Sequence, residues 1–85
     1  MTADSKWTVM PLNKLPLGSS GEIIALDMVG SVRRRLLDLG FVPGTRIDVA
    51  FPSPLGDPKA YYVRGTILAL RANEALSIKV RRLES

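Results

Sequence analysis

A mainly β domain whose short strands curl into a small barrel is predicted by three observations. Short stretches alternate apolar and polar residues over strand length, glycine breaks the phase of one of them, and a single amphipathic helical pattern falls near the N-terminal third. The chain has 85 residues, enough for one hydrophobic core but not two. With 46% hydrophobic and 24% charged residues it is too apolar for a disordered tail and too mixed for a fibre.

Residues 1–8 (MTADSKWT) are small and polar around Trp7 and read as a flexible lead-in, so the folded domain is placed at residues 9–83. Residues 11–21 (PLNKLPLGSSG) set Leu12, Leu15 and Leu17 among proline and glycine, the composition of an irregular arm laid over a core. Residues 22–27 (EIIALD) form the first predicted strand, and plain alternation sends Ile24 and Leu26 to one face. The helix follows at residues 28–40 (MVGSVRRRLLDLG), where Met28, Val29, Val32, Leu36 and Leu39 share a face read as core, with Leu37 at its margin. Asp27 or Ser31 can cap its start; Gly40 is the expected left-handed stop, with Phe41 folding back on Leu36. The wheel puts Arg34 on the wet side near Asp38 and Arg33 along the core's edge with its stem covered.

Pro43 and Gly44 mark a turn, after which residues 45–51 (TRIDVAF) alternate cleanly with Ile47, Val49 and Phe51 inward. Residues 52–58 (PSPLGDP) hold three prolines and predict a stiff exposed loop in which Asp57 bonds its own backbone. In residues 59–71 (KAYYVRGTILALR) Tyr61 and Val63 share one parity and Leu68 and Leu70 the other, so Gly65 is a bulge or sharp bend between two strand halves. Asn73 and Glu74 make a short helical turn, and residues 76–82 (LSIKVRR) supply a last strand with Ile78 and Val80 inward. About five short strands, one helix near the start and bending at glycine describe a barrel of the SH3 type, which also hides its edges.

Function classes are narrowed by what is missing. There is no cysteine and no histidine, which removes disulfides, thiolate metal sites, cysteine nucleophiles and the usual general base near neutral pH. Asp27, Asp38, Asp48 and Asp57 stand about ten residues apart on different elements, so no iron site is expected within one chain. An enzyme is not expected, and no cofactor. The longest apolar runs, such as residues 23–26 and 67–70, are far below the roughly 20 residues of a membrane span. Residues 1–8 lack a secretory pattern, which with the missing cysteines implies a cytoplasmic address. The net charge of +4 is spread over several elements, which does not call for nucleic acid.

Four segments carry a resemblance. Gly21-Glu22-Ile23-Ile24, RRRLLDLGFVPGTRIDV at residues 33–49, SPLGDP at residues 53–58 and VRGTILALRANEA at residues 63–75 together resemble the FeoA family of ferrous iron transport accessory proteins, over residues 12–80. The resemblance implies an SH3-like barrel and a partner, the ferrous iron permease: a membrane protein with a cytosolic G domain, which would recruit this chain to the inner face of the cell membrane. The family's domain is similar to the C-terminal domain of diphtheria-toxin-type iron-dependent repressors, and the chain's length leaves no room for their helix-turn-helix. Beside the resemblance stands a free-standing regulatory domain that binds peptide or transition metal.

Candidate partner-binding residues come from the residues themselves. Pro54, Leu55, Gly56, Asp57 and Pro58 form a pre-ordered loop displaying Leu55, which is equally a purely structural turn. Leu37 and Val42 flank the helix exit and are the members of that apolar group most apt to stay exposed. Tyr61 and Tyr62 point to opposite faces, so one is packed and the other displayed, with Ile67 joining the displayed one if it faces out. Weak self-association stays open.

Overall fold

In the computed structural model, residues 9–52 and 57–83 are described. Six strands form one antiparallel sheet: β1 (Val9–Pro11), β2 (Ser20–Leu26), β3 (Arg46–Pro52), β4 (Lys59–Val63), β5 (Thr66–Leu70) and β6 (Ile78–Leu83), in the order β1-β6-β2-β3-β4-β5. Helix α1 (Ser31–Asp38) lies between β2 and β3, and the short α2 (Ala72–Ala75) between β5 and β6. This mainly β, SH3-like arrangement agrees with the predicted class, with one strand more. β1 escapes sequence reading because three residues ending in Pro11 carry no alternation; the pairing of Met10 with Val80 makes it a strand.

Curvature is introduced at two irregularities. The pairing of β2 with β6 shifts between Ile23 and Ala25, and that of β3 with β4 between Val49 and Phe51. An extra residue at such a point bends its strand and reverses the phase of the residues beyond it. That is why Ile23 is buried and Ile24 exposed, contrary to the alternation expected for residues 22–27, while Leu26 packs against the core from beyond the bulge. Ile47 and Val49 face inward as predicted. The side chain of Phe51 lies outside the described residues.

The phase slip at residues 59–71 is a two-residue hairpin. Val63 pairs with Thr66, leaving Arg64 and Gly65 as the turn, both with positive φ (52° and 82°). Two such residues give the turn whose twist matches a right-handed strand pair. The pairing of β4 with β5 is uninterrupted, so Tyr61 is buried opposite Leu68, and Tyr62 is displayed opposite Ile67.

Strand side chains Ile23, Ile47, Val49, Tyr61, Val63, Leu70, Ile78 and Val80 make the core. Leu12 and Leu15, at and just after a 3-10 turn (Leu12–Lys14), close one side, as an arm over a core should. Leu17 does not join them and is exposed.

The helix departs furthest from expectation. It starts at Ser31 with Gly30 as its N-cap and no side-chain cap from Asp27 or Ser31. Only Leu36 of the predicted stripe is buried; Met28 packs partly, and Val29, Val32 and Leu39 are 85%, 44% and 38% exposed. Arg33 is exposed as well, not laid along the core. An eight-residue helix that buries one leucine leaves Val29, Val32 and Leu39 of the stripe in water. Its exit follows the prediction. Gly40 has φ 107°, its N–H donates to Leu37 O (3.1 Å), and the Phe41 N–H donates to Leu36 O (2.9 Å). These two bonds with the buried Phe41 beside Leu36 form a Schellman termination.

Leu36→Ala should lower the unfolding free energy by about 2–5 kcal/mol in urea titrations followed by circular dichroism. Val29→Ser should stay within about 0.5 kcal/mol of the parent in the same measurement, since Val29 loses no packing.

Candidate functional site

The outer face of the sheet is ordered across strands. Ser20 pairs with Leu83 on one side and Asp48 on the other, Asp48 with Tyr62, and Tyr62 with Ile67, a single row over five strands. In the row beside it Glu22 stands between Arg81 and Arg46. The polar part is internally satisfied. The Arg81 guanidinium donates to Glu22, Ser20 Oγ donates to Asp48, and Arg46 donates through Nε to Asp48 Oδ1 (3.1 Å) and through a terminal nitrogen to Ser20 Oγ (3.0 Å). The row ends in two apolar side chains in water, Tyr62 at 45% and Ile67 at 54% exposure. Ile67 therefore does face out beside the displayed tyrosine.

A second polar group gathers where the 3-10 turn, the start of β4 and α2 meet. Asn13, Asp57, Lys59, Tyr61, Leu70 and Ala72 line a recess of about 170 Å³. Asp57 Oδ1 accepts the Ala72 N–H (2.7 Å), so the carboxylate satisfies an orphan donor at the start of α2. Lys59 Nζ donates to the Asn13 carbonyl (3.1 Å), while the buried Asn13 Oδ1 has no protein partner among the described residues. Burial, and secondarily the Asp57 charge, push the Tyr61 phenol from 10.0 up to about 12, so it remains a neutral hydroxyl. Sequence reading offered no signal for Asn13 or Lys59, because the recess exists only once the arm folds over β4.

At α2, Glu74 serves two neighbours. One carboxylate oxygen accepts the Arg71 N–H (3.1 Å) in the manner of a capping box, and the other holds an Arg35 guanidinium nitrogen (3.2 Å) across the gap to α1. The third surface is the outward side of α1, where Arg33, Arg34 and Leu37 sit beside Val29.

Of the eight predicted partner-binding residues five are described: Leu37 on α1, Val42 after it, Asp57 and Pro58 ahead of β4, and Tyr62 on β4. Tyr62 is displayed, whereas Leu37 and Val42 are half-buried. Asp57 is exposed and Pro58 partly so, both preceding β4; Tyr62 is roughly 10 Å from Lys59 along that strand at about 3.3 Å per residue. Pro54, Leu55 and Gly56 lie outside the described residues. Among the described residues no three Asp or Glu side chains are grouped to hold a metal ion, and no helix is long and apolar enough to cross a membrane.

A small SH3-like barrel with satisfied polar rows and separate displayed apolar side chains defines the class: a compact accessory domain. Within that class the FeoA domain model matches residues 10–82, and the chain belongs to the FeoA domain family. It is similar to FeoA from Chlorobium tepidum, with 40% identity and a TM-score of 0.83 over 88% of this chain and 71% of that one. It is also similar to Stenotrophomonas maltophilia FeoA, solved as a complex with zinc and described as a procaryotic SH3 domain protein, with 33% identity and a TM-score of 0.75 over 84% and 88% of the two chains. A Porphyromonas gingivalis Fe(2+) transport protein A/Fe(2+) transporter FeoB fusion protein is 34% identical over 76 residues, 89% of this chain. The match spans 9% of that protein's length.

The raised phenol makes stability pH-dependent. Below pH 10 both folded and unfolded chains keep Tyr61 protonated; between 10.0 and about 12 the unfolded chain ionises first, so stability falls as pH rises through that window. Tyr61→Phe should remove that contribution in urea titrations across the range. Asp57→Ala should cost about 1 kcal/mol through the lost α2 contact, and should move tyrosinate absorbance to lower pH.

Proposed function

We propose that this protein is a non-catalytic accessory module of ferrous iron transport that binds the cytosolic G-protein region of the membrane Fe(II) permease and modulates its nucleotide cycle. The observation that carries the reading is the Porphyromonas gingivalis fusion, in which a segment like this chain and an FeoB transporter occupy one polypeptide. Joining two modules raises their effective concentration for each other, an advantage only for parts that work in contact. The Stenotrophomonas maltophilia relative, described as a candidate bacterial ferrous iron transport activating factor, points the same way.

The residues support contact over chemistry. With no histidine or cysteine, the chain lacks the usual general base near neutral pH and the imidazole and thiolate ligands of iron, which leaves the hard carboxylates. Glu22, Asp48, Asp57 and Glu74 are each engaged by arginine or by a backbone N–H. Among the exposed apolar side chains, Tyr62 and Ile67 stand directly opposite each other on β4 and β5. The tyrosine brings a large apolar body and a hydroxyl with little side-chain entropy to lose, the profile of an interface anchor.

Titrating the purified chain with the permease's soluble G domain tests the reading. Saturable binding with a changed rate of GTP hydrolysis is expected, and Tyr62→Ser should weaken the binding about tenfold with the fold intact. No association and no change in hydrolysis at moderate salt would refute it.

A further inference from the structure

The outward side of α1 carries an inference that rests on the permease reading and adds a second contact to it. Positions 30, 33, 34, 37 and 38 fall on one side of a 3.6-residue turn, and with Val29 they line one shallow groove. Val29 is 85% exposed, Leu37 is half-buried, and a Cβ built on Gly30 would meet nothing within 4 Å, so the groove has apolar walls and an open floor.

Its two arginines are not among the basic residues held in ion pairs. Arg46, Lys79 and Arg81 on the sheet and Arg35 on the inner flank of α1 each have a carboxylate within 4.0 Å. Arg33 and Arg34 are exposed and form no ion pair among the described residues, and neither does Asp38 at the groove's far end.

A second copy does not fit this groove. An antiparallel two-fold that sets Leu37 over Gly30 of the other copy brings Arg33 opposite the partner's Arg34, and a parallel two-fold opposes each arginine with itself. Both gather four guanidinium groups, and like charges face to face are destabilising. A flat bilayer would leave the floor above Gly30 unfilled and gain only two arginines' worth of attraction.

We propose that the α1 groove docks an acidic segment of the protein partner, with an apolar side chain seated over Gly30 between Val29 and Leu37 and carboxylates on the Arg33 and Arg34 forks. Guanidinium and carboxylate match in a two-bond geometry, and an apolar knob in a helix-walled groove is a recurrent mode of peptide recognition.

The experiment uses the full chain with two probes, the permease's soluble G domain and a synthetic helical peptide of leucine and glutamate. Binding is followed by calorimetry at low and moderate salt. The unaltered chain binds both, more weakly as salt rises. Arg33→Glu with Arg34→Glu should weaken both by at least about tenfold and flatten the salt dependence. Val29→Ser should weaken both with an unchanged melting curve, and Arg46→Glu, on the sheet face, should leave peptide binding as it was. If the G domain binds and the charge reversal and Val29→Ser bind it equally well, the groove assignment is overturned while the permease reading stands. If the G domain fails to bind but the peptide binds and is lost on charge reversal, the permease reading falls and the groove's chemistry holds. Failure of the peptide, or binding to phosphatidylserine vesicles in its place, overturns the inference.

Discussion

The fold depends on how the chain leaves α1. Gly40 at φ 107° reverses the backbone within two hydrogen bonds and delivers Phe41 into the core beside Leu36. A side chain there would be strained by the left-handed backbone, and a Cβ would stand 2.8 Å from Arg64 Cδ. The exit therefore fixes two things together: the apolar plug at the helix end, and the close approach of that plug to the hairpin turn at Arg64 and Gly65. From there the Gly44 N–H returns to Ile23 O (2.7 Å) and β3 is launched alongside β2. A displaced exit would lose Leu36 and Phe41 from the core and the register of β3 as well.

Polar groups in this protein are used mainly to hold elements in place. Two arginines of the outer sheet face are matched to Glu22 and Asp48, Asp57 closes the start of α2, and Glu74 joins α2 to α1. Exposed pairs of this kind contribute only about 0–1 kcal/mol each, so their value lies in orientation more than in stability. Of the apolar side chains left outside, Tyr62 and Ile67 stand on strands already oriented by that pairing, and Val29 stands just ahead of α1. A domain built this way presents surfaces that lose little freedom when they are covered.

Much of the scaffold was legible in the residues. Strict alternation at Ile47 and Val49, the glycine stop after Leu39 and the adjacent tyrosines each reflect a local rule that the tertiary structure obeys. Three features were hidden for identifiable reasons. β1 is too short and too close to proline to show a period. The bulge near Ile24 depends on the spacing of β6, a segment more than fifty residues away. The helical stripe satisfied the pattern for burial, yet burial needs a neighbour, and the barrel buries only Leu36 among the helix's residues. Strand parity says that one of the adjacent tyrosines is displayed, and the strand pairing makes it Tyr62; for Asp57 the partner Ala72 is fixed by folding and not by neighbouring sequence.

The double engagement of Glu74 links two places that look separate. One carboxylate oxygen steadies the first turn of α2 and the other tethers Arg35, so a displacement of α1 pulls on the same short lever that sets the approach to β6. A single carboxylate is thus shared between the longer helix and the short one that leads into the last strand.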